Sequence, residues 1–488
     1  MNWHMTTITA ILFSILTISA GSGCKKNTTG NEYVMSSIMV DKTNLQLVAG
    51  DNMQVNASAV PAVANQPAFQ WTSGDMTIAT VSNGLVKALK AGETNITVSY
   101  KNVKTVIPLK VISIPVDDKI AELYGRVLNN SSAIPELQLN DAGGYTAEGL
   151  SITGRDKLVK LDKFYAIAER KVAYRIRFSA DAKALFRSSQ GDFSAYVDMA
   201  GKKISIATNP VKEQTVSFFN AAHDYLVEIY HIYQEARVKI TDLQTNESAE
   251  VKAVHDGQGG VGQGVLQQGF AVGMQWDHYC FSLVSGTSML VKSVNVYALK
   301  KKVKLVMYGD SISQPEGYFP SRDFPQAWTQ RVISELGGNA MSSGRGGAQI
   351  DMVLEYIKNE LPFIETKYVM VTIGTNGGNT EAKLTQLVDY IKSRGAIPVL
   401  NNIPSNESGS QVTENVLINS VRQKTNVTGC RFDLATSLAG DGKEVDKSTM
   451  YWEDYTGSYG WQVYHHPNEK GGKKMFDQVM NDVPVLFQ

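Results

Sequence analysis

Four short stretches in the last third of the chain carry residue types that together can open an ester. Gly309-Asp310-Ser311-Ile312-Ser313 supplies a hydroxyl at the end of an apolar run. Gly344-Arg345-Gly346-Gly347 supplies backbone that a ligand can approach closely, because glycine has no Cβ to clash. Gly374-Thr375-Asn376 adds an amide side chain, and His465-His466-Pro467-Asn468 adds two imidazoles. A serine hydroxyl attacks an acyl carbon only when a base takes its proton, and histidine is the side chain whose ordinary pKa suits that near neutrality. The attack builds negative charge on the carbonyl oxygen. Fixed donors must meet it: the Ser311 amide, a glycine amide and the Asn376 carboxamide would make three.

These stretches need a scaffold that brings four distant points together. Val303, Leu305 and Met307 alternate, with Val306 filling in, and predict a buried strand that stops at the Ser311 turn. Further strands are expected at Tyr368 to Ile373, Ile397 to Leu400 and Cys430 to Leu434. Helical spacing of apolar residues predicts helices over Pro325 to Leu336, Ile350 to Leu361, Ala382 to Arg394, Gln411 to Lys424 and Lys470 to Val483. Strands alternating with helices imply a parallel sheet covered by helices, whose carboxyl edge is where such folds gather ligands.

In this order the four blocks resemble the SGNH hydrolase superfamily, the GDSL-type esterases and lipases, over about Val303 to Gln488. The resemblance implies an α/β, three-layer, flavodoxin-like domain at residues 301–488 and no metal or organic cofactor. It also implies that Ser311 is the nucleophile, His466 the base, and Ser311, Gly347 and Asn376 the oxyanion hole, with Gly346 the nearest rival to Gly347. His466 is preferred to His465 because Pro467 restrains its backbone; His465 lines the pocket or is exposed.

The family's aspartate three residues before the histidine is Val463 here. Backbone carbonyls, as in the Ser-His dyads of some carbohydrate acetylesterases, are the favoured means of orienting His466. A carboxylate from Glu453 or Asp454 is the other. The aromatic segment just before it, with Trp452, Tyr455 and Trp461, is expected to be a loop forming a substrate wall together with His465.

The rest of the chain is organised for export and display. Met5 to Ala20 has the length of a signal h-region, and Gly21-Ser22-Gly23-Cys24 resembles a lipobox. Residues 1–23 are therefore expected to be a signal peptide, Cys24 a lipidation site and residues 24–35 a tether, with the protein held at the cell envelope, periplasmic or on the outer-membrane surface. Short alternating runs at 36–113, with Trp71-Thr72-Ser73-Gly74-Asp75 and Ala91 to Val98, resemble the group 2 bacterial immunoglobulin-like domain. Residues 118–300 stay β-rich and predict a second all-β unit, a jelly roll or lectin-like sandwich. Its Tyr230, Tyr233, Trp276 and Tyr279 are candidate sugar-binding aromatics.

A chain of 488 residues is too long for one core, and three domains are expected. Forty-seven basic residues balance 47 acidic ones, which gives no field for nucleic acid. Cys280 and Cys430 fall in separate domains and are expected to be buried free thiols. Together these features predict an exported esterase that removes acetyl groups from a carbohydrate, its partners being that glycan and a membrane reached through Cys24.

Overall fold

The computed structural model describes residues 34–63, 66–129, 133–189, 193–208, 210–254, 279–314, 316, 319, 323–454, 456 and 462–488. The proposed signal peptide, Cys24 and tether, together with Trp276, Tyr455 and Trp461, lie outside these residues. Among the described residues no helix is long and apolar enough to cross a membrane.

The first body packs a four-stranded sheet against a three-stranded one. Leu47, Val55, Val86, Ile96 and Ile107 fill the space between them, and Trp71 packs half-buried against this core. The second body runs from Ala121 to Ala298 as two antiparallel sheets of eight and seven strands. The alternation read at Lys171 to Phe178 sends Val172, Tyr174, Ile176 and Phe178 into its core. Tyr233 and Tyr279 are also buried, so neither offers a ring to a sugar, while Tyr230 is half-exposed. Two strands of the larger sheet, β1 (Tyr225–Ile232) and β2 (Glu235–Asp242), are joined by a turn of only Tyr233 and Gln234.

The last body is built on four parallel strands: β3 (Lys302–Gly309), β4 (Ala340–Gly344), β5 (Glu365–Thr372) and β6 (Ile397–Leu400), in the order β4-β3-β5-β6. Strand residues alternate between two apolar clusters. Val306, Val369 and Val371 meet helices α2 (Ile350–Glu360) and α3 (Glu381–Ser393) on one face. Leu305, Met307 and Met370 meet α1 (Trp328–Glu335), α5 (Phe432–Thr436) and α6 (Glu469–Asp482) on the other. Helix α4 (Gln411–Thr425) adds Ile418 and Val421 to the first cluster.

The sheet is one strand short of a five-stranded flavodoxin order. The strand expected at Cys430 to Leu434 is instead mostly α5, and a fifth strand is traced only by a parallel bridge between Val399 and Thr428 and a bond from the Asn402 amide to the Cys430 carbonyl among the described residues. Cys430, Phe432 and Leu434 alternate with Arg431 and Asp433 as a strand would, but over only five residues. Here Arg431 pairs with Asp433, and the Thr436 hydroxyl donates to the Phe432 carbonyl at 2.8 Å, which closes a helical turn.

A second departure concerns the segment before the histidines. Met450–Asp454 and Gln462–Pro467 are strands, β7 and β8, paired antiparallel, so His465 and His466 ride on a hairpin and not on a loop.

The sandwich covers the free edge of β4, which would otherwise expose unpaired backbone groups. Ile167 bridges Ser343, and the Ala168 amide donates to the Ser342 carbonyl at 2.9 Å. Buried Glu360 fastens the seam: its Oε1 accepts from the Ala166 and Ile167 amides at 2.6 and 2.9 Å, and its Oε2 from the Ser343 hydroxyl at 2.7 Å.

Candidate active site

Three neighbouring strands deliver three of the sequence blocks to one sheet edge. Gly309 at the end of β3 lies level with Gly344 of β4 and Thr372 of β5, so Ser311, Gly347 and Asn376 all follow strand ends that are side by side. The serine turn is tied down from several directions. Asp310 accepts from the Ile312 amide at 3.0 Å, and Trp328 Nε1 donates to the Ile312 carbonyl at 2.7 Å. Burial raises the Asp310 carboxyl to about 6, and amides of Ile312, Thr375 and Gly374 oppose that rise. Asp310 thus ties down the Ser311 turn from within. Gly344 has to be glycine, since a Cβ there would lie 2.6 Å from the Ser313 carbonyl carbon.

Ser311 is 5% exposed. Its Oγ is 2.8 Å from His466 Nε2, and His466 Nδ1 is 2.5 Å from Glu453 Oε1. The carboxylate fixes the tautomer: with Nδ1–H donating to Glu453, Nε2 is left to accept the Ser311 proton. A backbone-oriented dyad, the expectation from Val463, is therefore replaced by a carboxylate thirteen residues upstream. Pairing of β7 with β8 supplies it, because Glu453 opposes Val463 in the register and is fully buried. Asp454, the other candidate, accepts from the Thr456 amide and from Gln462 Nε2 and has no bond to the histidine.

Burial pushes the His466 imidazole down, to about 3, so it stands neutral at neutral pH. His465 stacks on it, with ring centroids 4.4 Å apart and planes 11° apart, and is driven down to about 3 as well, first by burial and then by the neighbouring imidazole. A half-buried, stacked ring is packing for His466 more than a wall facing solvent. Trp452 is the described aromatic of the segment that does face solvent, at 43% exposure.

The donor loop carries the oxyanion candidates. Ala348 N donates to the Arg345 carbonyl at 3.0 Å, closing a turn in which Gly347 has φ +74, a value that favours glycine. The Gly346 amide is already donated to Gln314 Oε1, at 2.5 Å, which leaves Gly347 the better placed of the two. Asn376 Nδ2 donates to the Ala348 carbonyl at 3.0 Å, and Gln349 Nε2 donates to the Asn376 carbonyl at 3.0 Å. These two bonds join the Gly347 and Asn376 loops.

Beside Ser311 is a void of about 10 Å³, lined by Ser311, His466, Ile312, Phe319, Ala327, Trp328 and Pro467. That is the room of about one water-sized group. A larger open cleft of about 440 Å³, lined among others by Lys301, Phe363, Glu365 and Arg394, lies at the opposite edge of the sheet and contains no serine, cysteine or histidine. Among the described residues no cluster of His, Cys, Asp and Glu could hold a metal ion. Cys280 and Cys430 are free and buried.

Two carboxyls at the seam behind the site have a consequence for stability. Burial raises Glu316 to about 8 and Glu360 to about 7, from an ordinary 4.5. In this range the fold holds protons that the unfolded chain has released, so their contribution is whole below 4.5 and is lost as the pH climbs through the folded values. The lowered histidines act with the opposite sign, but only below 6.5. The unfolding midpoint is therefore expected to fall between pH 6.5 and 8, and Glu316→Gln to flatten that fall; an equally steep profile in the variant contradicts the assignment.

Residues 34–111 match the bacterial Ig-like domain (group 2) family, so the first body is a module of that class. No curated protein matches the chain. Among solved structures, a GDSL-like lipase from Bacteroides thetaiotaomicron is 13% identical over 38% of this chain and 88% of its own, with a TM-score of 0.29. A putative acylhydrolase from Bacteroides fragilis is 13% identical over 39% and 89%, with a TM-score of 0.30. Arcelin-5, a lectin-like defense protein from Phaseolus vulgaris, is 13% identical over 36% and 98%, with a TM-score of 0.28.

Proposed function

We propose that this protein is an exported serine ester hydrolase that removes O-acetyl groups from a carbohydrate. The observation that carries the reading is the continuous relay from Ser311 Oγ to His466 Nε2 at 2.8 Å and from His466 Nδ1 to Glu453 at 2.5 Å. In the first step Ser311 Oγ bonds to the acyl carbon while its proton passes to His466 Nε2. Glu453 holds the imidazolium that forms. The oxyanion is met by the amides of Ser311 and Gly347 and by Asn376 Nδ2. As the tetrahedral species collapses, His466 gives its proton to the leaving hydroxyl oxygen, and Ser311 is left acylated. Water then attacks the acyl carbon and loses a proton to His466, which passes it to Ser311 Oγ as the acyl–oxygen bond breaks, so that acetic acid leaves and the serine and neutral histidine are restored.

The acetyl group, the smallest common acyl group after formyl, is favoured by the small size of the void beside Ser311, about 10 Å³. The carbohydrate is favoured by the aromatic-rich segment just before the histidines, of which Trp452 is exposed and offers a ring for stacking on a sugar. Export and anchoring through Cys24 rest on the N-terminal sequence and agree with an Ig-like module at 34–111.

Chromogenic acetyl and octanoyl esters give the direct comparison, followed by acetate release from a panel of acetylated glycans. Rapid acetyl cleavage with little octanoyl cleavage is the expected result. A preference for octanoate would turn the reading to a lipase. Glycan binding without any acetate release would turn it to a binding protein.

A further inference from the structure

The turn joining β1 to β2 is unusual in both sequence and place. Two-residue hairpin turns favour Asn-Gly or Asp-Gly because the backbone enters the left-handed region. Here the pair is Tyr233-Gln234, and Tyr233 takes φ +51, a conformation that a bulky side chain adopts at a cost. Hairpin tips normally face water, yet Tyr233 is 9% exposed and Gln234 is 6% exposed. The tip is buried because it inserts into the catalytic body. The Tyr233 ring lies 5.6 Å from Phe324, and Gln234 Nε2 donates to the carbonyls of Glu316 at 3.1 Å and Phe319 at 2.8 Å. Both hydrogens of one amide nitrogen are thus spent on the short stretch that follows the nucleophile.

Phe319 is the residue that makes this attachment matter. Its ring lines the void beside Ser311 and His466, and its outer side is braced edge-on by Tyr451 at 5.6 Å. Its backbone carbonyl is held by Gln234, which belongs to another body. A strained, buried turn kept at a site boundary is the kind of feature that points to function.

We propose that the Tyr233-Gln234 tip of the sandwich is a positioning device for the acyl pocket. Gln234 fixes Phe319 so that the pocket accepts an acetyl methyl and excludes longer chains. Acyl-chain selectivity is then set in part from outside the catalytic body, and the sandwich is a component of the active site as well as a neighbour of it. The proposal rests on the ester-hydrolase reading, and Gln234 acts through Phe319 without touching the reacting atoms.

The test compares kcat/KM for chromogenic acetate and butyrate esters in the full chain and in Phe319→Ala, Gln234→Met, Gln234→Glu and the double variant Gln234→Met/Phe319→Ala, with unfolding midpoints recorded for each. Phe319→Ala is expected to raise the butyrate-to-acetate ratio about 10-fold or more, the usual scale for small changes in an apolar pocket. Either Gln234 variant should raise the ratio in the same direction, and Gln234→Met should add nothing to Phe319→Ala. Gln234 variants that slow both esters equally, with an unchanged ratio, would reduce Gln234 to a structural role and overturn the proposal. An unchanged ratio in Phe319→Ala would overturn the pocket assignment while leaving the hydrolase intact. A native chain that cleaves neither ester would overturn the hydrolase reading itself, and this inference with it.

Discussion

Ser311→Ala is expected to lower the turnover of an acetyl ester by about 10⁶-fold, the loss typical when the nucleophile of a serine triad is removed. The magnitude follows from the relay. Without Oγ there is nothing for His466 to activate, and only binding and the oxyanion donors remain to act on a water molecule. The fold should tolerate the change, because the turn is held by the Asp310 and Trp328 bonds and not by the serine side chain. Steady-state rates with matched unfolding midpoints check it. A loss smaller than about tenfold would move the nucleophile elsewhere.

Glu453→Gln is expected to cost about 10⁴ in kcat, as exchange of a triad carboxylate for its amide does elsewhere. The amide keeps the shape but can offer Nδ1 an N–H, which favours the tautomer that leaves Nε2 protonated and unable to take the serine proton. Asp454→Asn is the internal control, since Asp454 bonds Thr456 and Gln462 and has no bond to His466. It should keep near-native rates. If Asp454→Asn were the damaging change and Glu453→Gln the mild one, the assignment of the third residue would be reversed.

The parts of the site that were legible in the sequence are those announced by a break in pattern. An apolar strand that stops at Gly309-Asp310-Ser311, and another at Gly374-Thr375-Asn376, are visible because glycine and asparagine interrupt a regular run. Alternation in the sheet and helical spacing in α1 to α4 and α6 were readable for the same reason. Glu453 was one of two carboxylates within reach and not the favoured means, because its role depends on a hairpin between β7 and β8. Its pairing register shifts between Met450 and Trp452 and so does not follow a simple alternation. The Tyr233-Gln234 turn had no glycine, asparagine or proline to mark it, and burial against a second body is what holds it. The strand expected after Gly429 became α5 through contacts local to Arg431, Asp433 and Thr436. For Glu453 and for the Tyr233-Gln234 turn the missing information was a tertiary partner.

The aspartate expected at position 463 from the sequence resemblance is a valine. Val463 is buried where that aspartate is expected, and it pairs across the hairpin with Glu453. The carboxylate that meets His466 Nδ1 comes from the opposing strand of the hairpin.

The account stands most directly on one covalent measurement. The full chain, treated with a fluorophosphonate that reacts with activated serines, is expected to gain the mass of a single phosphonyl group, mapped to Ser311 by peptide mass spectrometry. Ser311→Ala should gain none, and Glu453→Gln should react far more slowly. An unlabelled native chain, or a label on any other serine, would contradict the Ser311–His466–Glu453 relay.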